Sequence, residues 1–154
     1  MKKTSIGLLA ALSILMLSCK KQLVNNDFCD CANTPTTGII GTDTFRIPNI
    51  FTPNGDGMND VWVIQGQGSY PTLTKKIYSL GIFNTLIFQD SNTSSGWDGK
   101  YNGSSVPDGK YEYKISMGSN VITGYVCKFT ANNAYTYSCI FGCSPIHQGD
   151  PILY

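Results

Sequence analysis

The feature that most constrains the fold of this chain is a series of short β-favouring runs over residues 45–129, each bounded by turn-forming residues. In the clearest run, residues 110–115, side chains alternate strictly, so Tyr111, Tyr113 and Ile115 would share one face of a strand. Gly, Asn, Asp and Pro recur between the runs, where they favour tight turns. About seven short strands without helical periodicity predict an all-β fold, an antiparallel β-sandwich.

The same runs set the expected domain boundaries. The runs that we assign to strands are residues 45–47, 50–51, 61–64, 76–78, 86–88, 110–115, 121–122 and 125–129. Before them, residues 19–44 lack periodicity and are rich in Asn, Thr, Pro and Gly, which predicts a flexible tether. After them, residues 130–154 contain two cysteines, and we expect an ordered extension held by disulfide bonds. One domain is therefore expected, over residues 45–129.

The N-terminus has the pattern of an export signal. Two lysines precede an apolar stretch over residues 6–17, which is too short to span a membrane. Residues 17–19, Leu-Ser-Cys, resemble the lipobox of bacterial lipoproteins. We predict a signal peptide over residues 1–18, lipidation of Cys19, and attachment to the outer membrane, on its periplasmic face or at the cell surface. The alternative is an ordinary signal peptide followed by an incidental cysteine.

Charge and residue types argue against two functional classes. Removing the two signal lysines from the 11 basic residues leaves nine against ten acidic ones, with no basic cluster beyond lysine pairs. A nucleic-acid partner is therefore not expected. The chain contains one His and one Glu, and no nucleophile–base motif, so we expect no enzymatic activity.

Cysteine use is consistent with export, because disulfide bonds persist outside the cytoplasm. With Cys19 lipidated, the disulfide candidates are Cys29, Cys31, Cys127, Cys139 and Cys143. Five is an odd number, so at most two bridges form within the chain and one thiol is left over. We expect the N-terminal pair to reach the three C-terminal cysteines, but the connectivity is not readable from sequence.

A polar loop between two apolar runs has two interpretations. Asn54, Asp56, Asn59 and Asp60 offer oxygen atoms of the kind that Ca²⁺ prefers. The other interpretation, which we favour, is a tight turn in which Asn and Asp side chains bond to the local backbone. Apart from Ca²⁺ under the first interpretation, no cofactor is expected.

Three blocks of sequence identify a resemblance. Residues 47–60, IPNIFTPNGDGMND, resemble the "PN-hFTPNGDGhND" opening of the gliding motility-associated C-terminal domain, the type B sorting domain of the type IX secretion system. Residues 97–100 and 106–113 resemble its "WDG+ … G … hPDGhYhY" block, and residues 76–88 its hairpin. The motif and turn residues are Pro53, Asn54, Gly55, Asp56, Gly57, Asn59, Asp60, Trp97, Asp98, Gly99, Asp108, Gly109 and Tyr111.

The resemblance implies an immunoglobulin-like β-sandwich that marks proteins for export across the outer membrane. The chain departs from the family pattern at residues 79–85, Ser-Leu-Gly-Ile-Phe-Asn-Thr, where the family usually has Asn-Arg-Trp-Gly. A further 25 residues also follow the last expected strand. We expect Asp98-Gly99 and Asp108-Gly109 to form turns, and the Tyr111 hydroxyl to bond to nearby backbone as a tyrosine corner.

These observations lead to two functional hypotheses. The first is a non-enzymatic surface lipoprotein that acts by protein–protein contact with type IX secretion or gliding components or with surface adhesins. Its contacts would involve strand edges and the loops at residues 52–60 and 97–109. The second is a surface module that binds Ca²⁺ or a glycan, with Trp97 and Asp98 as a sugar-stacking patch. Against the glycan role, Trp97 is expected to pack over a sheet edge.

Overall fold

The computed structural model describes residues 34–40, 43–66, 73–92 and 94–130, together with Cys143 and Gly149. These residues form strands and turns, and none of them is helical, so the all-β prediction is confirmed. The strands are β1 (Thr37–Ile40), β2 (Asp43–Arg46), β3 (Ile50–Phe51), β4 (Gln65–Gly66), β5 (Leu73–Ser79), β6 (Leu86–Asp90), β7 (Lys100–Tyr101), β8 (Ser104–Ser105), β9 (Gly109–Met117) and β10 (Asn120–Lys128). The described part of the chain holds no helix long and apolar enough to cross a membrane.

The predicted signal peptide at residues 1–18 and the lipidation site Cys19 lie outside the described residues. So does most of the predicted tether at 19–44 and of the extension at 130–154. These assignments stay predictions.

A five-stranded sheet in the order β3-β10-β9-β5-β6 forms the larger layer. Its pairings are antiparallel except for β3, which lies parallel to β10. The alternation predicted for β9 is confirmed, because Tyr111, Tyr113 and Ile115 are buried while Lys114 is exposed. The buried face of this sheet supplies most of the core.

A second sheet, in the order β1-β2-β4, covers that buried face. Phe45 of β2 and the neighbouring Ile47 and Ile64 belong to the same hydrophobic cluster as residues of β5, β9 and β10. Two sheets that share one core form a β-sandwich, as predicted. The immunoglobulin-like connectivity stays a prediction.

The folded part of the chain begins earlier than residue 45. β1 pairs with β2 in the register Thr37↔Arg46, within the segment that we expected to be a tether. The expected tether is wrong for residues 37–40, because in β1 the smallest residue is buried and the large apolar residue is exposed. Gly38 is buried against Ile47 and Ile122, whereas Ile39 is 72% exposed. A strand that buries a glycine leaves no alternation for the sequence to reveal.

Two other expectations need correction. Residues 61–64 are not a strand, because only Trp62 forms a bridge, with Trp97. The four β-favouring side chains instead lie in an irregular segment that buries Trp62 and Ile64. The described residues contain ten strands rather than about seven. β4, β7 and β8 were not predicted because they are only two residues long and leave no periodic pattern, and β1 was not predicted because it buries a glycine.

In the middle of β10, a buried aromatic side chain of β9 leaves room only for glycine at position 124. Gly124 lies opposite Tyr113 in the β9–β10 register. A Cβ atom at this position would lie 2.5 Å from Tyr113 Cζ. The tyrosine ring therefore covers the glycine, and its hydroxyl donates a hydrogen bond to Pro35 O at 3.2 Å. Glycine is required here by close approach.

Lys75 is a charged residue in the core. Its side chain is fully buried on β5, its Nζ donates a hydrogen bond to Ser95 O, and Asp90 Oδ2 on β6 lies 3.7 Å away. Burial lowers the pKa of Lys75, and the nearby Asp90 carboxylate partly offsets that effect.

Candidate functional site

Residues 52–60 form a closed polar loop where β3 ends. The Thr52 N–H donates a hydrogen bond to Asn59 O at 2.8 Å, which brings the two ends of the loop together. Gly57 and Asn59 have positive φ angles of 87° and 51°. Glycine adopts such angles freely, and Asn does so more readily than most residues, so this sequence suits the path of the loop.

The Asp60 carboxylate binds backbone N–H groups within this loop. Its Oδ1 accepts a hydrogen bond from the Gly55 N–H at 2.6 Å, and its Oδ2 accepts one from the Gly57 N–H at 2.8 Å. One carboxylate thus binds two backbone amides of the preceding turn.

Asp56, in the same loop, also accepts hydrogen bonds from its neighbours. Its Oδ1 accepts a hydrogen bond from the Met58 N–H, and its Oδ2 accepts one from Asn54 Nδ2, both at 2.8 Å. The hydrogen bonds from Asn54 and Met58 lower the pKa of Asp56, because they favour the charged carboxylate. These contacts support the turn interpretation.

Within the described residues, no group of three or more His, Cys, Asp or Glu side chains is arranged to hold a metal ion. Calcium binding stays an untested prediction.

Trp97 begins the second motif block and is completely buried. Its backbone exchanges two hydrogen bonds with Trp62, at 2.9 and 3.1 Å. Its ring lies 5.0 Å from the ring of Tyr111 in an edge-on arrangement and 5.1 Å from the ring of Phe51. The indole N–H donates to Lys100 O at 2.9 Å. Trp97 therefore presents no ring face to a sugar, and the proposed stacking patch at this residue is wrong.

Asp108, in the second part of the second block, joins the start of β9 to the end of β10. Its Oδ1 lies 2.8 Å from Nζ of Lys128, and its Oδ2 accepts a hydrogen bond from the Thr130 N–H at 2.8 Å. The Lys128 side chain is only 2% exposed. Burial raises the pKa of Asp108, but the hydrogen bonds from Lys128 and Thr130 more than offset this, and the net pKa is lowered.

The tyrosine corner that we predicted at Tyr111 is confirmed. The Tyr111 hydroxyl donates a hydrogen bond to Pro107 O, four residues upstream, at 2.5 Å. Burial, followed by the charge of Asp108, raises the pKa of Tyr111 to about 12. This hydrogen bond thus links β9 to the segment that carries Asp108.

The first motif block and the two parts of the second block meet at Gly99. Its φ is 77°, and a Cβ atom here would lie 2.8 Å from Lys128 Cε and 3.0 Å from Pro53 Cγ. Gly99 therefore lies between the first block and the Lys128–Asp108 pair. We call this region, residues 52–60, 97–109 and 128–130, the motif end.

These blocks fall within the match to a single family model. The model of the CHU_C type IX secretion signal domain matches residues 45–127, more than half of the chain. The chain belongs to this family of type IX secretion signal domains. Neither the curated proteins nor the solved structures contain a match to it.

In this signal domain, the motif residues named from sequence lie together, but most of them support the fold. Trp97, Gly99 and Tyr111 are buried, and the carboxylates bind backbone or Lys128. Sequence reasoning missed Lys128 and Thr130. The available signal was Lys128 itself, a lysine within an apolar run assigned to a buried strand, where a charge requires a partner.

The signal domain has a second distinctive region, the turn between β5 and β6. Ile82 is 94% exposed and Phe83 is 84% exposed, the two highest values among the exposed large hydrophobic residues described. The Ser79 N–H donates to Thr85 O at 2.9 Å, and the Thr85 hydroxyl donates to Phe83 O at 3.0 Å. We call residues 80–85 the hairpin tip.

The hairpin tip and the motif end lie at the same end of the five-stranded sheet. Ser79 at the end of β5 pairs with Tyr111 near the start of β9, and Gly109 at that start pairs with Lys128. The tip follows β5 on one side of the sheet, and the motif end lies beside β3 and β10 on the other.

Of the five disulfide candidates, the structure describes Cys127 and Cys143, and neither is a free thiol. Cys127 is 1% exposed on β10. Cys29, Cys31 and Cys139 lie outside the described residues. The pairing of the cysteines therefore stays a prediction.

Proposed function

We propose that this chain is a non-enzymatic outer-membrane or cell-surface lipoprotein whose signal domain acts by protein–protein contact in type IX secretion, gliding or adhesion. The observation that carries the proposal is the family match over residues 45–127, which includes nearly all of the described β-sandwich. The lipid anchor is proposed from the pattern at residues 17–19 that follows the apolar stretch.

The chemistry of the motif end supports a role in contact rather than catalysis. Each of its four carboxylates, Asp56, Asp60, Asp98 and Asp108, binds neighbouring backbone or side-chain groups. The two buried tyrosines of the core, Tyr111 and Tyr113, have pKa values raised to about 12, chiefly by burial, so they are less acidic than exposed tyrosines. These hydrogen-bonded carboxylates and buried tyrosines keep the surface pre-organised, which lowers the entropic cost of binding a partner.

Protease accessibility on intact cells tests the export part of this proposal. The full chain is expressed in a strain with the type IX translocon and in one without it, and surface digestion is followed by immunoblot. We expect digestion only when the translocon is present. Equal digestion in both strains, or none in either, would contradict a role as an export signal.

Metabolic labelling with a clickable fatty acid tests the anchor separately. We expect the wild-type chain to be labelled and the Cys19→Ser variant to be unlabelled. Label retained in the variant, or absent from the wild type, would contradict lipidation at Cys19. A Ser18→Ala variant is the matched control, because it leaves a small residue before the cysteine.

A further inference from the structure

The hairpin tip presents an apolar surface that the fold itself does not use. Ile82 and Phe83 are 94% and 84% exposed, and Leu86, at the start of β6, is 39% exposed. Exposing large apolar side chains to water is unfavourable, and contiguous exposed apolar groups commonly mark a contact site. Single exposed apolar residues are ordinary, but here two large ones are adjacent in the same turn and both are almost fully exposed.

The tip is held in shape before any partner binds. Backbone hydrogen bonding between Ser79 and Thr85 closes the turn, and the Thr85 hydroxyl bonds to Phe83 O. Asn84 Nδ2 donates to Glu112 Oε2 of β9 at 3.4 Å, which links the tip to the sheet. A pre-formed turn loses little conformational freedom on binding.

We propose that the hairpin tip inserts Ile82 and Phe83 into an apolar pocket on a protein of the type IX secretion machinery. This inference rests on the proposed function, because it names the surface through which the export contact is made. An aromatic side chain in a desolvated pocket is the usual anchor of such a contact.

Charge favours a protein pocket over a lipid surface. Residues 79–86 contain no charged side chain, and the charged group bonded to the tip is the acidic Glu112. Elements that lie on membranes usually combine apolar residues with Lys or Arg that attract anionic lipids. The tip has the apolar residues without the basic ones, and its acidic neighbour would be repelled by an anionic surface.

Area and strand geometry favour a transient protein contact over a dimer of this chain. Two exposed side chains of this size offer roughly 300 Å², whereas a stable interface needs about 800 Å² from each partner. β6, which continues directly from the tip, is the edge strand of the five-stranded sheet. Its outer edge can pair with an extended polypeptide beside the pocket, which a lipid cannot supply.

The test uses the full chain and the double variant Ile82→Ser, Phe83→Ser. Its matched control is Ile39→Ser, Val121→Ser, which removes two other exposed apolar side chains, 72% and 51% exposed. Urea unfolding first establishes that both variants fold like the wild type. Loss of two anchors should then weaken the contact about tenfold or more. We expect a similar drop in the surface-exposed fraction in cells with the translocon, and none for the control.

Three results would overturn the inference. The first is a tip variant as surface-exposed as the wild type, when wild-type exposure depends on the translocon. The second is binding of the purified wild type to phosphatidylethanolamine–phosphatidylglycerol vesicles that the tip variant lacks. The third is a dimer, seen by sedimentation, that the tip variant abolishes. If wild-type exposure itself does not depend on the translocon, the proposed function fails, and this inference fails with it.

Discussion

The motif end and the hairpin tip share one end of the signal domain but use their side chains in opposite ways. At the motif end, a completely buried Trp97, a buried Lys128 and four carboxylates contact one another, neighbouring side chains or the backbone. At the tip, Ile82 and Phe83 are mostly exposed to solvent. The first two family blocks therefore build the scaffold. The turn of the hairpin block, which departs from the family pattern, is the better candidate for recognition.

The largest expected effect tests whether the motif end is scaffold. Trp97→Ala should lower the free energy of unfolding by about 3–5 kcal/mol, since it leaves a cavity between Phe51 and Tyr111. Urea unfolding at pH 7, followed by circular dichroism, measures the loss. A loss no larger than that of Phe83→Ala would remove the distinction between the two regions.

The pair formed by Asp108 and Lys128 should contribute next. Asp108→Asn should cost about 2 kcal/mol, less than a fully buried pair, because the Asp108 side chain is 29% exposed. The folded pKa of Asp108 is lowered, so its stabilisation is present above the unfolded pKa of about 4 and is lost as pH falls through the folded value. Unfolding at pH 7 and pH 3 should therefore show a smaller acid loss in the variant. An unchanged acid loss would contradict this assignment.

The buried tyrosines give a third prediction, at alkaline pH. The folded pKa of Tyr111 is about 12, while an unfolded tyrosine ionises near 10, so ionisation favours the unfolded chain. Stability should fall as pH rises from about 10 to 12. Tyr111→Phe should fall less steeply over this range, although it loses the bond to Pro107. Equal slopes for wild type and variant would show that the tyrosine is not protected.

The hairpin tip should contribute little to stability. Ile82→Ser, Phe83→Ser is expected to change the free energy of unfolding by less than about 0.5 kcal/mol, because exposed side chains lose few contacts when removed. The midpoint of urea unfolding is the measurement. A destabilisation comparable with that of Asp108→Asn would mean that the tip is part of the scaffold.

The smallest effect is expected from calcium. Asp56 and Asp60 already accept hydrogen bonds from the loop backbone, so Ca²⁺ would have to displace those bonds. Calorimetry of the full chain with CaCl₂ should give no heat above dilution. Heat that disappears in an Asp56→Ala, Asp60→Ala variant would instead support the calcium alternative.

The sequence predicted those features that leave local patterns. The alternation of β9, the turn at Asp98-Gly99 and the corner at Tyr111 follow from residue type and spacing. Gly109, which we expected in a turn, is instead the first residue of β9. β1 was missed because its buried position is a glycine. The pairing of Lys128 with Asp108 was missed because it joins residues 20 apart in sequence. The exposure of the tip could not be predicted from sequence either, since an apolar turn and a buried strand have similar compositions.

Photo-cross-linking in living cells tests the central claim most directly. A benzoylphenylalanine is placed at position 83 in the tip, at position 56 in the motif-end loop, or at position 121 on β10, and cross-linked proteins are identified by mass spectrometry. The account predicts a cross-link to a type IX component from position 83 and none from positions 56 and 121. A cross-link from position 56 with none from position 83 would contradict it, because recognition would then lie in the motif end.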